Sequence, residues 1–305
     1  MKIIQKIGNK MNSLVMKSYW YNEVLFPDCS KFWNLNTFNL DVVNLGSTTG
    51  VASFCYEDIP LKAANLALEH NFILVYQEIL NNYCSYLNPH SSTVIIPLCP
   101  FTSLSGSYDY FEDRYYTILQ LCSIPHGSVK RRLQILNLKE RPLFNYPLFA
   151  MIKDLKMLFR SKKEIVRTEE FMENDAAEWI NGWIHEFSLS ELESPLSLLN
   201  QDGVDDASKI LNEMISFCKE RNIRPVILIP PVYHTLGEKF TSKTRNNIIN
   251  PLLDKIVDKS VWYYNYMDDS DFANDITLFQ NSFLLNKKGA KLFTKRVLKD
   301  LGLVE

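Results

Sequence analysis

The stretch Leu40-Asp41-Val42-Val43-Asn44-Leu45-Gly46-Ser47-Thr48-Thr49-Gly50 decides how this chain is to be read. Its first half is apolar and β-branched, as a buried strand requires, and it stops in a run of small residues bounded by two glycines. A strand that runs into such a turn exposes side chains above the carboxyl edge of a sheet, where open α/β sheets bind ligands. Just downstream, residues 72–87 place Phe72, Ile73, Tyr76, Ile79, Leu80 and Tyr83 on one helical stripe. Residues 93–98 then read as a buried strand halted by Pro97 and Pro100, which gives the order β-α-β.

The same alternation returns later in the chain. Asp205 and Asp206 suit a helix N-cap and first turn, followed by a buried face of Ile210, Leu211, Met214, Ile215 and Cys218. Asn222 is a terminator ahead of a strand at 225–229. A helix over 243–257, a strand over 261–266 and a last helix over 287–301, closed by Gly302, complete the pattern. Four short strands separated by helices predict a three-layer α/β/α, doubly wound parallel sheet. Between the two halves, residues 106–200 carry helical periodicity and many aromatics, among them Tyr108, Tyr110, Phe111, Tyr115 and Tyr116, but no strong strand. They read as a helical, aromatic-rich insertion within a single domain spanning 1–305, its rings either packing as core or lining a ligand cleft.

Composition excludes several functional classes. With 33 Lys and Arg against 35 Asp and Glu there is no overall basic excess for nucleic acid, and the one dense cluster, Lys130-Arg131-Arg132, reads as a solvated helix face. No apolar run approaches the ~18 residues of a membrane span, and the basic start of the chain lacks the apolar core and cleavage site of a secretory signal. A cytoplasmic protein, or one held at the inner membrane face by a partner, is expected. The six cysteines are scattered without a C-x-x-C pair, which disfavours zinc and a disulfide scaffold. Ten glycines in 305 residues leave no place for a phosphate loop. Asp268, Asp269, Asp271 and Asp275 lack the spacing of an EF-hand, so no metal and no cofactor are expected.

Two blocks at opposite ends carry a family resemblance. Asn44-Leu45-Gly46-Ser47-Thr48-Thr49-Gly50 and Phe279-Gln280-Asn281-Ser282-Phe283-Leu284-Leu285-Asn286-Lys287-Lys288-Gly289-Ala290-Lys291-Leu292-Phe293 resemble the first and last blocks of the SGNH/GDSL hydrolases, most closely the branch found among bacterial surface-polysaccharide proteins. Asn65-Leu66-Ala67-Leu68, Pro100-Phe101-Thr102-Ser103 and the segment from Arg224 to Pro231 look similar to that branch more loosely. The resemblance implies a flavodoxin-like, SGNH-hydrolase-like sheet and an ester hydrolase or O-acyltransferase. It also implies a nucleophile after the first strand and an acid and base in the last block.

The matching positions hold other residues. The nucleophile position is Thr48, preceded by Ser47; the acid position is Asn281; the base position is Leu284. A threonine hydroxyl can attack a carbonyl, but leucine has no lone pair to accept its proton, and loss of a triad base costs several orders of magnitude in rate. The expected function is therefore binding of a carbohydrate or acyl ligand, without triad-dependent esterase activity, in surface-polysaccharide assembly or modification, with an assembly protein as partner. Gly46, Thr49, Gly50, Asn65, Thr102 and Ser103 are the candidate ligand-binding residues, through hydroxyls or backbone amides. One alternative is an active esterase or O-acyltransferase using Thr48 or Ser47 with a relocated base, His234, which follows a strand's carboxyl end. Another is a structural or interaction protein whose pocket is filled.

Overall fold

Parallel pairing organises the larger part of the molecule. The structure, a computed structural model, describes residues 2–158 and 167–305. Five strands, β1 (Val42–Asn44), β2 (Ala63–Asn65), β3 (Thr93–Pro97), β4 (Arg224–Ile229) and β5 (Trp262–Asn265), form one sheet in the order β2-β1-β3-β4-β5. Every neighbouring pair is parallel, with Asn44 opposite Asn65 and Ile95, and Ile95 opposite Val226. This is the flavodoxin-like order, and its direction of winding reverses between β1 and β3.

Side-chain alternation across the pleat divides the strands between two helical layers. Val42, Ile95, Val226 and Leu228 point into a core with Phe293, Val297 and Leu298 of the Lys287–Asp300 helix, which also packs on the Thr48–Ser53 helix. The alternate residues Val43, Val94, Ile96 and Ile227, all buried, face the opposite layer. There the Ile73–Tyr83 helix packs on the 23-residue helix Leu198–Glu220, which in turn packs on β4.

Chain contacts divide the molecule into two compact units. The sheet and its helices belong to Thr37–Tyr108 and Val166–Glu305; Met1–Asn36 and Asp109–Ile165 form the other unit. The stretch expected as an insertion over 106–200 therefore contributes to both. The second unit is helical, with Lys2–Val15, Cys29–Trp33, Val129–Glu140 and Leu148–Leu158. At its centre Arg114, 1% exposed, pairs with Glu112 at 3.0 Å and lies 5.2 Å from the Tyr115 ring. Nearby Tyr21, Phe26 and Trp33 pack as a ring cluster, and burial pushes the Cys29 thiol up to about 12.

Two local expectations are corrected. Asp205 and Asp206 lie inside a helix that begins at Leu198, where the Ser197 hydroxyl accepts the Asn200 amide as the N-cap; the aspartates bond Lys255 and Ser107 from its surface. The helix expected over 243–257 is three short segments, Ser242–Thr244, a π-helical Arg245–Ile249 and Asn250–Asp254. Asn222 does stand in the left-handed region, φ +57°, just after Leu198–Glu220.

Candidate functional site

The turn after β1 is built by hydrogen bonds that leave its small side chains in place. Gly46 has φ +125°, a conformation L side chains rarely adopt, and its carbonyl accepts the Leu68 amide at 3.0 Å and Asn71 Nδ2 at 3.3 Å. The chain then enters the Thr48–Ser53 helix. Asn65, at the end of β2, fastens this helix from the side. Its Nδ2 donates to the carbonyls of Gly50, Val51 and Phe54 at 3.0–3.2 Å, and its Oδ1 accepts from Asn44 Nδ2 and the Ala67 amide, each at 3.0 Å.

Above this turn lies a cavity of about 220 Å³ at the carboxyl ends of β1, β2 and β3. Ser47, Thr48, Thr49, Asn71 and Thr102 supply polar lining; Phe101, Trp179, Trp183, Phe187 and Phe283 supply aromatic walls. The walls are mutually packed: Phe101 lies 4.6 Å from Trp183 and stacks on Phe187 at 5.7 Å, and Phe283 touches Trp179 and Trp183 at 4.8 and 4.9 Å. Trp179 and Trp183 come from the Glu169–Glu186 helix.

Two buried side-chain oxygens on residues of this lining have no hydrogen-bond partner in the protein. They are Thr49 Oγ1, on a residue 3% exposed, and Asn71 Oδ1. Most buried polar atoms are satisfied, and leaving one unpaired costs ~1–3 kcal/mol. The donation from Asn71 Nδ2 to the Gly46 carbonyl fixes the amide orientation, so the unpaired atom is an acceptor. Ser47 Oγ and Thr48 Oγ1 accept the amides of Asn71 and His70 at 3.3 and 3.4 Å, which leaves each hydroxyl proton free to donate.

The other anticipated residues divide clearly. Thr102 lines the cavity, with its hydroxyl accepting the Cys99 amide at 2.9 Å. Ser103 does not line it, and its hydroxyl donates to the Ile248 carbonyl. Asn65 is likewise turned to the backbone, because the helix it fastens has the carbonyls that need its donors. Gly46 and Gly50 shape the turn without lining the cavity.

His234 sits in a different hollow with Glu238, Thr241, Arg245 and Asp268, its ring nitrogens 3.5 Å from Glu169 and 3.4 Å from Glu238. Tyr233, buried and donating to Glu169, immediately precedes the short helix His234–Gly237. Of the five histidines, the cavity includes His70. Glu186 lines the cavity too; burial raises its carboxyl pKa, opposed by His70. Among the described residues no imidazole nitrogen hydrogen-bonds to Ser47 or Thr48.

The terminal block is committed to folding. Asn281 Oδ1 accepts the amides of Phe283 and Leu284 at 3.1 and 2.8 Å, and Leu284 is 7% exposed and outside the cavity lining. Asn286 caps the Lys287–Asp300 helix through Lys288 and Gly289. The acidic run is also occupied: Asp268 pairs with Arg245, Asp269 and Asp271 with Arg296, and Asp275 caps Ile276–Leu278. No group of three metal-ligating side chains occurs among the described residues.

These features define an α/β protein with a small, aromatic-walled cavity at the switch point of a flavodoxin-like sheet. No protein-family model matches the sequence. No curated protein matches it either. Among solved structures it is similar to "The structure of a putative platelet activating factor from Streptococcus pneumonia", with 10% identity over 98% of this chain and 96% of that one, at a TM-score of 0.37.

Proposed function

We propose that the cavity binds a small hydroxyl-bearing ligand of the size of one sugar ring, and that the protein does not use triad-dependent ester hydrolysis. The observation that supports this most strongly is the pair of unpaired atoms, Thr49 Oγ1 and Asn71 Oδ1. Asn71 Oδ1, an acceptor, is matched by an O–H or N–H group, and the hydroxyls of Ser47, Thr48 and Thr49 can donate in return, a mixed demand that sugar hydroxyls meet. Aromatic walls around such a floor suit the apolar faces of a sugar ring. At about 220 Å³ the space is below the ~300 Å³ of drug-sized pockets, so a single ring or short acyl group is the scale. Although His70 lines the cavity, no imidazole nitrogen hydrogen-bonds to these hydroxyls among the described residues, which argues against acyl transfer. A role beside surface-polysaccharide assembly or modification rests on the likeness of the end blocks to that hydrolase branch. A reducing, cytoplasmic setting agrees with six free thiols.

The test is a titration of the full chain with a monosaccharide panel and short acyl esters, read by Trp179 and Trp183 fluorescence and by calorimetry. Thr49→Val keeps the shape and removes the unpaired hydroxyl. It weakens the sugar about 5- to 30-fold while leaving the ligand-free protein as stable or about 1 kcal/mol more stable. Unchanged affinity in Thr49→Val overturns the proposal.

A second reading is favoured by one observation, the placement of His70 and Glu186 at the same cavity as Thr48. It predicts turnover of short acyl esters that falls at least about a hundredfold in both Thr48→Ala and His70→Gln. We expect no such turnover.

A further inference from the structure

The unit made of Met1–Asn36 and Asp109–Ile165 carries a surface that the cavity does not explain. By sequence it holds 16 Lys and Arg against 8 Asp and Glu, a net charge of +8, whereas the sheet unit holds 17 against 27, a net charge of −10. The near-neutral total conceals this separation. Within the basic unit, the Leu148–Leu158 helix is seated by little more than Ala150, 3% exposed, and Asp154, which accepts from the Trp20 amide at 3.3 Å and from the Tyr146 hydroxyl. It leaves Leu148, Phe149, Met151, Ile152 and Leu155 open to solvent at 42–73% exposure. At 100° per residue these five cover an arc of about 160°, wider than the seam used by one helix docking on another. The apolar surface continues onto Leu14, 63% exposed at the end of the Lys2–Val15 helix, across a shared groove lined also by Tyr19 and Met157.

Lysines accompany this surface: on the helix, Lys153 stands just past its edge and Lys156 falls within the arc on the last turn. Lys10, Lys17, Lys153 and Lys156 are exposed, none has an ion pair among the described residues, and Lys153 Nζ stands 4.6 Å above the Tyr19 ring. A broad apolar arc accompanied by exposed lysines is the pattern of a helix that lies in a membrane interface, its apolar side among acyl chains and its cations reaching to anionic headgroups. No helix of the described residues is long and apolar enough to cross the bilayer, so the contact is with one leaflet. We propose that this face docks the protein directly on anionic lipid bilayers.

The test is flotation of the full chain with vesicles of neutral phosphatidylcholine alone or mixed with anionic phosphatidylglycerol, at low and high salt. The expected result is binding to anionic vesicles, at least tenfold weaker on neutral ones and weakened by salt. Phe149→Glu, at a position 73% exposed, abolishes flotation without lowering the melting temperature. The pair Lys153→Glu and Lys156→Glu lowers partitioning about fivefold or more per lysine. No flotation, equal binding to neutral vesicles, or unchanged binding in Phe149→Glu overturns the proposal. Concentration-dependent self-association dispersed by Phe149→Glu, without vesicle binding, overturns it in favour of a second copy of this chain, whose acidic unit offers the opposite charge.

Discussion

Replacing Asn65 by aspartate lowers the melting temperature of the sheet unit by about 10 °C at neutral pH, and acidification recovers part of the loss. The native amide donates to the carbonyls of Gly50, Val51 and Phe54 while accepting from Ala67 and Asn44. A carboxylate keeps the acceptor and turns a second, negative oxygen toward three carbonyl oxygens. Lost charge-free hydrogen bonds and an unmatched charge together cost about 3–4 kcal/mol, and for a unit of this size each kcal/mol shifts melting by roughly 2–4 °C. The introduced carboxyl has its pKa raised in the folded state. Its protonated form is favoured by folding, so stability is lowest above the folded pKa and rises as pH falls toward the unfolded value of ~3.9. Thermal melts of the variant at pH 5 and pH 7.5, beside Asn65→Ala, check this. Equal melting of the aspartate and native proteins at pH 7.5 refutes the bracing role.

Gly106→Ala is expected to be comparably severe and to reach the cavity as well. A Cβ at Gly106 falls within the van der Waals surface of the Gly203 carbonyl oxygen and the Ala207 amide, both backbone atoms of the Leu198–Glu220 helix. Gly203 returns the contact, its own Cβ position lying 3.0 Å from the Leu104 carbonyl oxygen. Because neither side can yield by turning a side chain, the helix and the Thr102–Ser105 segment must part, at a cost of about 3 kcal/mol or more. Thr102 and Ser105 line the cavity, so ligand affinity falls together with a drop of roughly 6–12 °C in melting. Melting curves and the tryptophan titration of this variant read the two effects separately. A native-like melt would show that the close approach is not required.

Much of the architecture is legible because burial imposes a period on the sequence. The apolar runs of β1, β3 and β4 have both faces covered, and such strands are nearly continuous in Val, Ile and Leu. β2 escapes notice for the opposite reason. Ala63-Ala64-Asn65 is three residues long, lies at the sheet edge and has no β-branched side chain. Missing it has a direct effect on the site. His70 and Asn71 stand in the loop after β2, a strand's carboxyl end and hence the ligand edge, and without β2 nothing singles them out.

The two-unit organisation is hidden for another reason: the N-terminal helices find their partners beyond residue 108, with Tyr21 donating to the Lys139 carbonyl and Leu143 to Asn12. Pairing across more than a hundred residues leaves no local signal. The start of the Leu198–Glu220 helix is misplaced because three acceptors compete for the cap, and Ser197 is the one whose amide three residues on lies within reach. Thr48, Thr49 and Thr102 are legible at the cavity because they follow strands in the sequence. The roles of Asn65 and Ser103 depend on which carbonyls come to meet them, and only the folded chain supplies those.

The turn at Asn281 limits what substitution at the end block can achieve. Substituting serine, aspartate and histidine at positions 48, 281 and 284 would introduce three triad-type side chains without assembling a reaction centre. Position 284 points into packed interior, where an imidazole is desolvated, and position 281 already anchors the amides of Phe283 and Leu284. The residue of this turn that does line the cavity is Phe283, packed against Trp179 and Trp183. Ester chemistry at this turn would therefore require the aromatic wall to be rebuilt, which three point changes do not do.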